Sequence, residues 1–472
     1  MPIRTMKFGG TSVGDANAIR RTCELVKASV DAGYAVAVVV SAMSGVTDQL
    51  LRASRAAEVG DASEFRAIRL RLLTRHLQVN DACVPEPERE AVGEEISELL
   101  DQLLRLCESV AVMGELTLRG RDAILALGER MSCRLVSACL RGLGVPSAAV
   151  EATNLIVTDE QYGSANYLPE QTRAKTRATL MPMLEGGQVP VITGFIGATA
   201  RGVTTTLGRG ASDLSASIIG ACLDSEEIWI WTDVDGVLTA DPRIVPEARS
   251  LPEISYGEAA ELAYFGAKVL HPKTMLPALG SNIPIRIKNT FRPEHPGTLI
   301  TASAPSSPVG IRGITSVKGM ALVTVQGHGM LGVPGVAAKV FSTVAREGIS
   351  VLMISQSSSE QNICFVVPAS SAERVIAALE GEFALERQRQ DIDQIWAQNS
   401  VGIVAVVGAG MKGVPGIAAR VFNALGSRNI NVICIAQGSS EHNLSFVLAE
   451  PDIDEAVRAI HADCVQGQRS NA

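Results

Sequence analysis

The 472-residue chain sets 42 Lys and Arg against 50 Asp and Glu, a net charge of −8, with the basic residues scattered. This excludes the clustered basic surface of a nucleic-acid binder, and no apolar run reaches membrane-spanning length. Hydrophobic residues make up 46% but aromatic residues only 4%, so the cores are rich in Val, Ile, Leu and Ala, as in buried parallel sheets.

The chain opens on a short strand at 3–8, so no signal peptide is expected. Gly9, Gly10, Thr11 and Ser12 follow it, then an amphipathic helix from about Asp15 to Asp31. Two glycines let backbone N–H groups approach an anion, and the helix N-terminus adds its dipole. Lys7 puts a point charge at the same spot. The order is not that of Walker A, where the lysine follows the glycines, and a strand-Gly-Gly-helix turn can also be purely structural. Residues 34–40 form a continuous apolar run, read as a buried strand opening into a polar loop with Ser41, Ser44 and Thr47. Such hydroxyls either bind a phosphate or carboxylate at the carboxyl end of the strand or cap the next helix.

Residues 48–113 read as helical, broken at Pro85 and Pro87. His76 reads as a packing or surface histidine, and Arg69, Arg71 and Arg75 as a solvated face. A second helical block, 117–142, is interrupted at Gly128-Glu129-Arg130, where Glu129 either caps a helix or holds an ammonium group. Apolar runs at 145–151 and 189–196 precede Gly208-Arg-Gly-Ala-Ser-Asp213, which opens a small-residue helix at 214–223. So dense a cluster reads as functional: the Arg209 guanidinium suits bidentate capture of a carboxylate, and Asp213 can cap, bind Mg²⁺ or orient lysines. A strand at 227–232 leads into turns at Asp233 and Asp241. Lys268, alone in a small-residue stretch, is a candidate second phosphate contact, and His271 before Pro272 reads as structural. The last strand, 284–288, is followed by a Ser/Pro-rich linker at 301–308. Nine cysteines, without Cys-x-x-Cys, read as reduced thiols in a cytoplasmic protein. Six histidines show no metal-ligand spacing, and no protein metal site is expected.

Beyond the linker the chain repeats itself. Residues 327–335 (GHGMLGVPG) match 408–416 (GAGMKGVPG), and an offset of 81 residues then pairs Gln356 with Gln437, Glu360 with Glu441, and Asn362 with Asn443. Each copy reads β-α-β-β-α, of ferredoxin-like character. Both loops satisfy Gly-x-Gly-x-x-Gly, but the following strand ends in Gln rather than the acid that would hold a ribose. Each copy is also too short for a doubly wound sheet, so a nicotinamide site is rejected.

Taken together, Lys7-Phe-Gly-Gly-Thr-Ser12, Val40-Ser-Ala-Met43, Gly128-Glu-Arg130, Gly194-Phe195, Gly208–Asp213, Trp231-Thr-Asp-Val-Asp-Gly236, Asp241-Pro-Arg243 and Lys268-Val-Leu-His-Pro272 resemble the aspartate kinases over nearly the whole chain. The resemblance implies an α/β fold. A three-layer amino-acid kinase sandwich with a mostly parallel sheet occupies 1–302, followed by two ferredoxin-like (α+β) ACT domains at 309–399 and 400–472. It implies ATP-dependent phosphorylation of the β-carboxylate of L-aspartate to 4-phospho-L-aspartate, on the way to lysine, threonine and methionine. Lys7, Asp213 and Lys268 would be catalytic. Ser41, Thr47, Glu129, Phe195, Arg209 and Ser212 would bind aspartate, with Glu129 on the ammonium and Arg209 on the α-carboxylate. Lys7, Gly9, Gly10, Thr11, Thr232, Asp233, Arg243 and Lys268 would bind ATP, with Mg²⁺ bridging the phosphates. Ala211 departs from the family's commoner Gly without removing a functional group.

The repeats would sense an end-product amino acid through Gly332, Gln356, Asn362, Gln437 and Asn443. Lysine-sensitive relatives often carry an acid where this chain has Leu352 and Ile433, and the two glutamines resemble positions of threonine-sensitive members. Threonine is therefore the expected inhibitor, with lysine the alternative. ACT pairing implies a homodimer or a dimer of dimers, and the chain's end soon after the second repeat implies a monofunctional enzyme. The rival readings are another amino-acid kinase, acting on glutamate or acetylglutamate, and a non-catalytic amino-acid sensor.

Overall fold

A computed structural model of the chain describes residues 1–208, 210–266, 270–302, 310–357, 361–411, 413–438 and 442–466. They form two compact units. The first comprises 1–237, 250–256 and 269–304; the second comprises 238–249, 257–268 and 305–472. The chain therefore passes between units before the linker as well as at it.

The first unit is built on β1 (Ile3–Phe8), β2 (Ala35–Val40), β3 (Ser147–Val150), β5 (Val189–Thr193), β8 (Glu227–Thr232), β9 (Glu253–Ser255), β10 (Ile285–Asn289) and β11 (Thr298–Thr301). They form one eight-stranded sheet in the order β3-β5-β2-β1-β8-β10-β11-β9. All neighbours are parallel except β10 and β11. The sheet is thus mostly parallel, as expected from apolar runs such as AVAVVV, five of whose six residues are buried. A small sheet of β4 (Val157–Thr158), β6 (Ile196–Thr199) and β7 (Thr204–Thr206) lies beside it in the same unit.

Strand alternation sorts the side chains of β1 to opposite faces. Met6 and Phe8 enter a core shared with α1 (Ala16–Asp31), α2 (Val46–Glu58), α3 (Ala62–Cys83), α4 (Glu86–Met113), α5 (Leu118–Leu125) and α6 (Leu127–Gly142). Thr5 and Lys7 point the other way, to Ser225 and to Asp213 of α8 (Ala211–Cys222). That second face also carries α7 (Pro169–Glu185) and α10 (Pro272–Gly280). The prolines act as expected: Pro85 sits at the start of α4 and Pro87 in its first turn, where a missing N–H costs nothing. His76 is a packing histidine. It is fully buried against the Leu72 carbonyl, and burial pulls its pKa down to about 4.

The second unit contains α9 (Tyr256–Tyr264) apart from its first residue, α11 (Val336–Arg346), α12 (Ala372–Glu382), α13 (Ala384–Gln388), α14 (Ile417–Gly426) and α15 (Ile453–Ile460). Its sheet is antiparallel: β12 (Gly313–Gln326), β13 (Met353–Gln356), β14 (Asn362–Pro368), β15 (Gln394–Val407), β16 (Cys434–Gln437) and β17 (Asn443–Ala449), in the order β13-β14-β12-β15-β17-β16. The repeats share strands. Residues 322–326 of β12 pair with 394–398 of β15, and 313–317 pair with 403–407, with an irregularity between Val317 and Leu322. Each repeat's three strands thus gain a fourth from the other repeat, and the expected border at 399/400 falls inside one continuous strand. The outer ends of the sheet meet where the Ser355 hydroxyl donates to the Ile435 carbonyl at 3.1 Å.

Candidate active site

The parallel strands of the first unit end at Phe8, Val40, Thr193 and Thr232, and a cavity of about 280 Å³ opens beside the ends of β1, β2 and β5. Lys7, Ser41, Thr47, Glu129, Phe195 and Asp213 line it, with Ser212 and the small residues Gly208, Gly210 and Ala211. Seven positions singled out in the sequence therefore meet in one space, at the end of the sheet where open α/β folds take ligands. Arg209 and Lys268 lie outside the described residues.

One wall carries a charge pair. Lys7 Nζ lies 2.5 Å from Asp213 Oδ1, with both side chains largely buried. Asp213 is in the first turn of α8, which begins at Ala211 rather than three residues later. Ala211 does not have a positive φ, so its methyl group is tolerated without backbone strain.

Glu129 lines the same cavity. It is fully buried, in the first turn of α6, and it does not cap that helix. Its Oε1 accepts the Ala42 N–H at 3.1 Å across the unit. Its Oε2 has no hydrogen-bond partner among the described residues. Burial pushes its carboxyl up to about 8, against the pull of the Ala42 N–H. Glu129 comes this close because residue 128 is glycine: a Cβ there would stand 2.8 Å from the Ala42 Cβ.

Phe195 is held at φ +68°, an uncommon conformation for a bulky residue. Its N–H donates to the Ser215 hydroxyl at 3.0 Å, and its carbonyl accepts the Leu207 N–H at 2.9 Å. Beside it, a Cβ on Gly194 would lie 2.9 Å from the Ser212 side chain.

The Gly9-Gly10 turn differs from the phosphate cradle read from the sequence. Gly9 donates its N–H to the Trp231 carbonyl at 3.2 Å, extending the sheet by one residue. The helix begins at Ala16, six residues beyond Gly10, and the Asp15 carboxylate already accepts the Ala18 N–H at 2.9 Å. An acid thus caps that helix end. Thr11 is exposed in the turn between them. Thr232 and Asp233 follow at the end of β8, where the Thr232 hydroxyl donates to Asp233 at 3.2 Å. Arg243 falls in the second unit, exposed and paired with Asp241.

Two supporting groups were not legible as such. Arg75 is no solvated residue: it donates to the Ser44 carbonyl at 2.8 Å and the Gly14 carbonyl at 2.9 Å, tying the loops after β2 and β1 together. Arg69 and Arg71 are paired with Asp101 and Glu64. The Ser132 hydroxyl donates to the Ser41 carbonyl at 2.7 Å. Its spacing of three from Glu129 put both on one helix face, which was the available signal. His271 accepts the Lys273 N–H at the start of α10, a structural cap.

In the second unit Gly332 has φ +68° in the first repeat's loop. Gln356 and Gln437 end β13 and β16, and Asn362 and Asn443 begin β14 and β17. The two repeats differ in their contacts. The Asn443 amide donates to Glu261 of α9 at 2.9 Å, and the Ala409 N–H donates to Glu258 of the same helix at 2.8 Å.

A parallel sheet with an amino-acid-sized cavity at its carboxyl ends, on the same chain as paired β-α-β-β-α repeats, is the plan of an amino acid kinase with ACT domains. Residues 3–289 match the amino acid kinase family model, and 323–383 and 404–463 match an ACT domain model. The bifunctional aspartokinase/homoserine dehydrogenase of Haemophilus influenzae is 36% identical over 97% of this chain and 56% of its own length. Aspartokinase 3, chloroplastic, of Arabidopsis thaliana is 35% identical over 97% of this chain and 80% of its own length. The crystal structure of E. coli aspartokinase III with aspartate and ADP (R-state) superposes with a TM-score of 0.83 at 30% identity, covering 98% of this chain and 99% of that one. The same enzyme with lysine and aspartate (T-state) gives 0.79. The chain belongs to the aspartokinase family, and it spans about half the length of the bifunctional relatives it matches. Among the described residues no helix is long and apolar enough to cross a membrane.

Proposed function

We propose that the chain transfers the γ-phosphoryl group of ATP to the β-carboxylate of L-aspartate, releasing ADP and 4-phospho-L-aspartate. The observation that carries this reading is one cavity lined both by a lysine–aspartate pair and by a buried glutamate. The likeness to an enzyme crystallised with aspartate and ADP supports it. The nucleophile is a carboxylate, already ionised near neutral pH, so no strong base is required. Catalysis rests on alignment and on neutralising charge at the transferring group.

Glu129 pairs with the substrate ammonium. Ser41, Thr47 and Ser212 donate to its carboxylate region, and Phe195 packs against it. Arg209 takes the α-carboxylate. Lys7 and Lys268 meet the phosphates, and Asp213 orients Lys7. Gly10, Thr11, Thr232 and Asp233 hold the nucleotide. Mg²⁺ arriving with ATP would supply further neutralisation of phosphate charge. It needs only one or two carboxylates besides the phosphates, and Asp213 on the cavity wall fits that demand.

The reading extends to regulation by an end-product amino acid, L-threonine, bound at the first repeat through Gly332, Gln356 and Asn362. At the second repeat, Asn443 is already held by Glu261. Leu352 and Ile433, at the positions where an acid would meet a lysine ammonium, lie partly buried against an apolar core. Leu331, Val333, Ile354 and Ile435 are exposed apolar residues of the second unit, which supports pairing of two chains there. Nine free cysteines support a cytoplasmic location.

The test is ADP release with Mg-ATP and L-aspartate, repeated with millimolar threonine and then lysine. Turnover suppressed by threonine is expected. Suppression by lysine alone would replace the effector and keep the kinase. ATP binding without aspartate-dependent turnover would move the claim to another acceptor or to a sensor.

A further inference from the structure

Asp122 is fully buried on α5, and the catalytic reading gives it no role. It is surrounded by donors. Its Oδ2 accepts the Gly163 N–H at 2.8 Å and the Thr206 N–H at 3.0 Å, and its Oδ1 accepts the Thr206 hydroxyl at 2.8 Å. Burial pushes its carboxyl up while these bonds pull it down. A carboxylate is costly to bury, and this one is matched by three hydrogen bonds from two separate chain segments.

Those bonds connect two functional elements. Thr206 ends β7, and Gly208, Gly210, Ser212 and Asp213 of the following segment line the cavity. Thr206 is held on its other side as well, its carbonyl accepting the Ala165 N–H at 2.9 Å. At the other end, α5 runs through Ala126 into α6. The Ala126 N–H donates to the Asp122 carbonyl at 3.1 Å, and the Arg130 N–H donates to the Ala126 carbonyl at 3.3 Å. Asp122 thus stands about two turns, ~10 Å, before Glu129 on a nearly continuous helical path.

We propose that Asp122 is a positioning residue for the amino-acid substrate: it fixes Thr206, and through it the start of α8 with Ser212, relative to Glu129, and so sets the span between Glu129 at the substrate ammonium and Ser212 at its carboxylate region. This rests on the aspartate kinase reading for its consequence, though not for its geometry. The span matters for an acceptor that must present one carboxylate in line with a phosphoryl group, where small misplacements cost rate. The Asp122 side chain bonds Gly163 and Thr206, not the turns after β1 and β8 that hold the nucleotide.

The chemistry of the site separates shape from charge. In Asp122→Asn the side-chain oxygen can keep both backbone N–H groups. Its NH₂ can donate to Thr206 Oγ1, because a hydroxyl can turn to accept. Asp122→Ala removes all three bonds, and Thr206→Val removes only the hydroxyl link.

The experiment has two arms on the full chain. Hydrogen exchange without substrate should show peptide 204–214 exchanging faster in Asp122→Ala, with β1 unchanged and Asp122→Asn like the parent. Kinetics should show the KM for aspartate rising roughly tenfold in Asp122→Ala, with the KM for ATP within about twofold and Asp122→Asn near the parent. Thr206→Val should shift both readouts the same way by less, and it carries the comparison if Asp122→Ala does not fold. Equal rises in both KM values, or exchange that is faster everywhere with an unchanged aspartate KM, would overturn the proposal. A parent chain without aspartate turnover would sink the function reading alone, and the exchange arm would still decide whether Asp122 holds the segment.

Discussion

The cavity is lined by two carboxylates in opposite situations. Asp213 meets Lys7 at 2.5 Å, so its charge is balanced whether or not a ligand is present. Glu129 spends one oxygen on the Ala42 N–H and leaves the other without a partner among the described residues. Burial accordingly pushes Glu129 up to about 8. The difference teaches which carboxylate is preorganised and which is waiting. A lysine already aligned by an acid can stabilise developing phosphoryl charge without reorganising. A buried acid without a cation has an affinity to offer, and a substrate ammonium satisfies it.

The strongest way to break this comparison is to remove the balanced pair. Lys7→Met should lower kcat by about a thousandfold, the range seen when a preorganised charge is deleted, while the aspartate KM moves little. A mutant losing only affinity would place Lys7 on the substrate side instead. Next comes Glu129→Gln. Deleting one member of a buried charged contact costs about 2–5 kcal/mol, so kcat/KM for aspartate should fall roughly a hundredfold with the ATP KM unchanged.

The pH dependence sharpens the same point. Below about pH 8 the empty site holds Glu129 protonated. kcat/KM for aspartate should therefore climb between pH 6 and 8 and level off above, and Glu129→Gln should flatten that rise. Folding has the opposite sign. With the carboxyl raised from 4.5 to about 8, the folded state binds the proton more tightly than the unfolded state. The contribution is full below about 4.5 and is lost as the pH climbs to about 8. Glu129→Gln should thus melt at a higher temperature than the parent at pH 8.5, with the gap closing at pH 5. The smallest effect is expected of Ser132→Ala, which removes one hydrogen bond to the Ser41 carbonyl. About 1 kcal/mol of stability and a few-fold rise in aspartate KM are expected, read by thermal melting and initial rates.

Much of the site was legible because its residues sit where strands end. Lys7, Ser41 and Phe195 each follow or close an apolar run, and such ends converge in an open parallel sheet. What was not legible depended on direction and long-range packing. Glu129 reaches across to Ala42 instead of capping its own helix, a choice set by the close approach at Gly128. Arg75, one of three similar arginines, clamps two loops because α3 happens to pass beside them. The spacing of charges along a helix carries no record of what that helix lies against. The glycines after β1 fit a phosphate motif in sequence, yet Gly9 is consumed by the sheet and the helix end by Asp15. Likewise, nothing local marks residues 238–249 as part of the second unit, where Ala240 and Val245 join a core with Val404 and Phe446.

The reciprocal strands of the second unit bear on how a sensor can be taken apart. Because β12 and β15 each run through both repeats, neither repeat owns a complete sheet. A cut at residue 399 would sever a strand in mid-course and expose ladder edges on both products. The pair should melt as one transition, and swapping a single repeat between relatives should yield aggregates, whereas exchanging both together should yield a folded sensor. The same continuity couples the repeats: a displacement of the first repeat's strands reaches the second's along two backbones, across the irregularity between Val317 and Leu322.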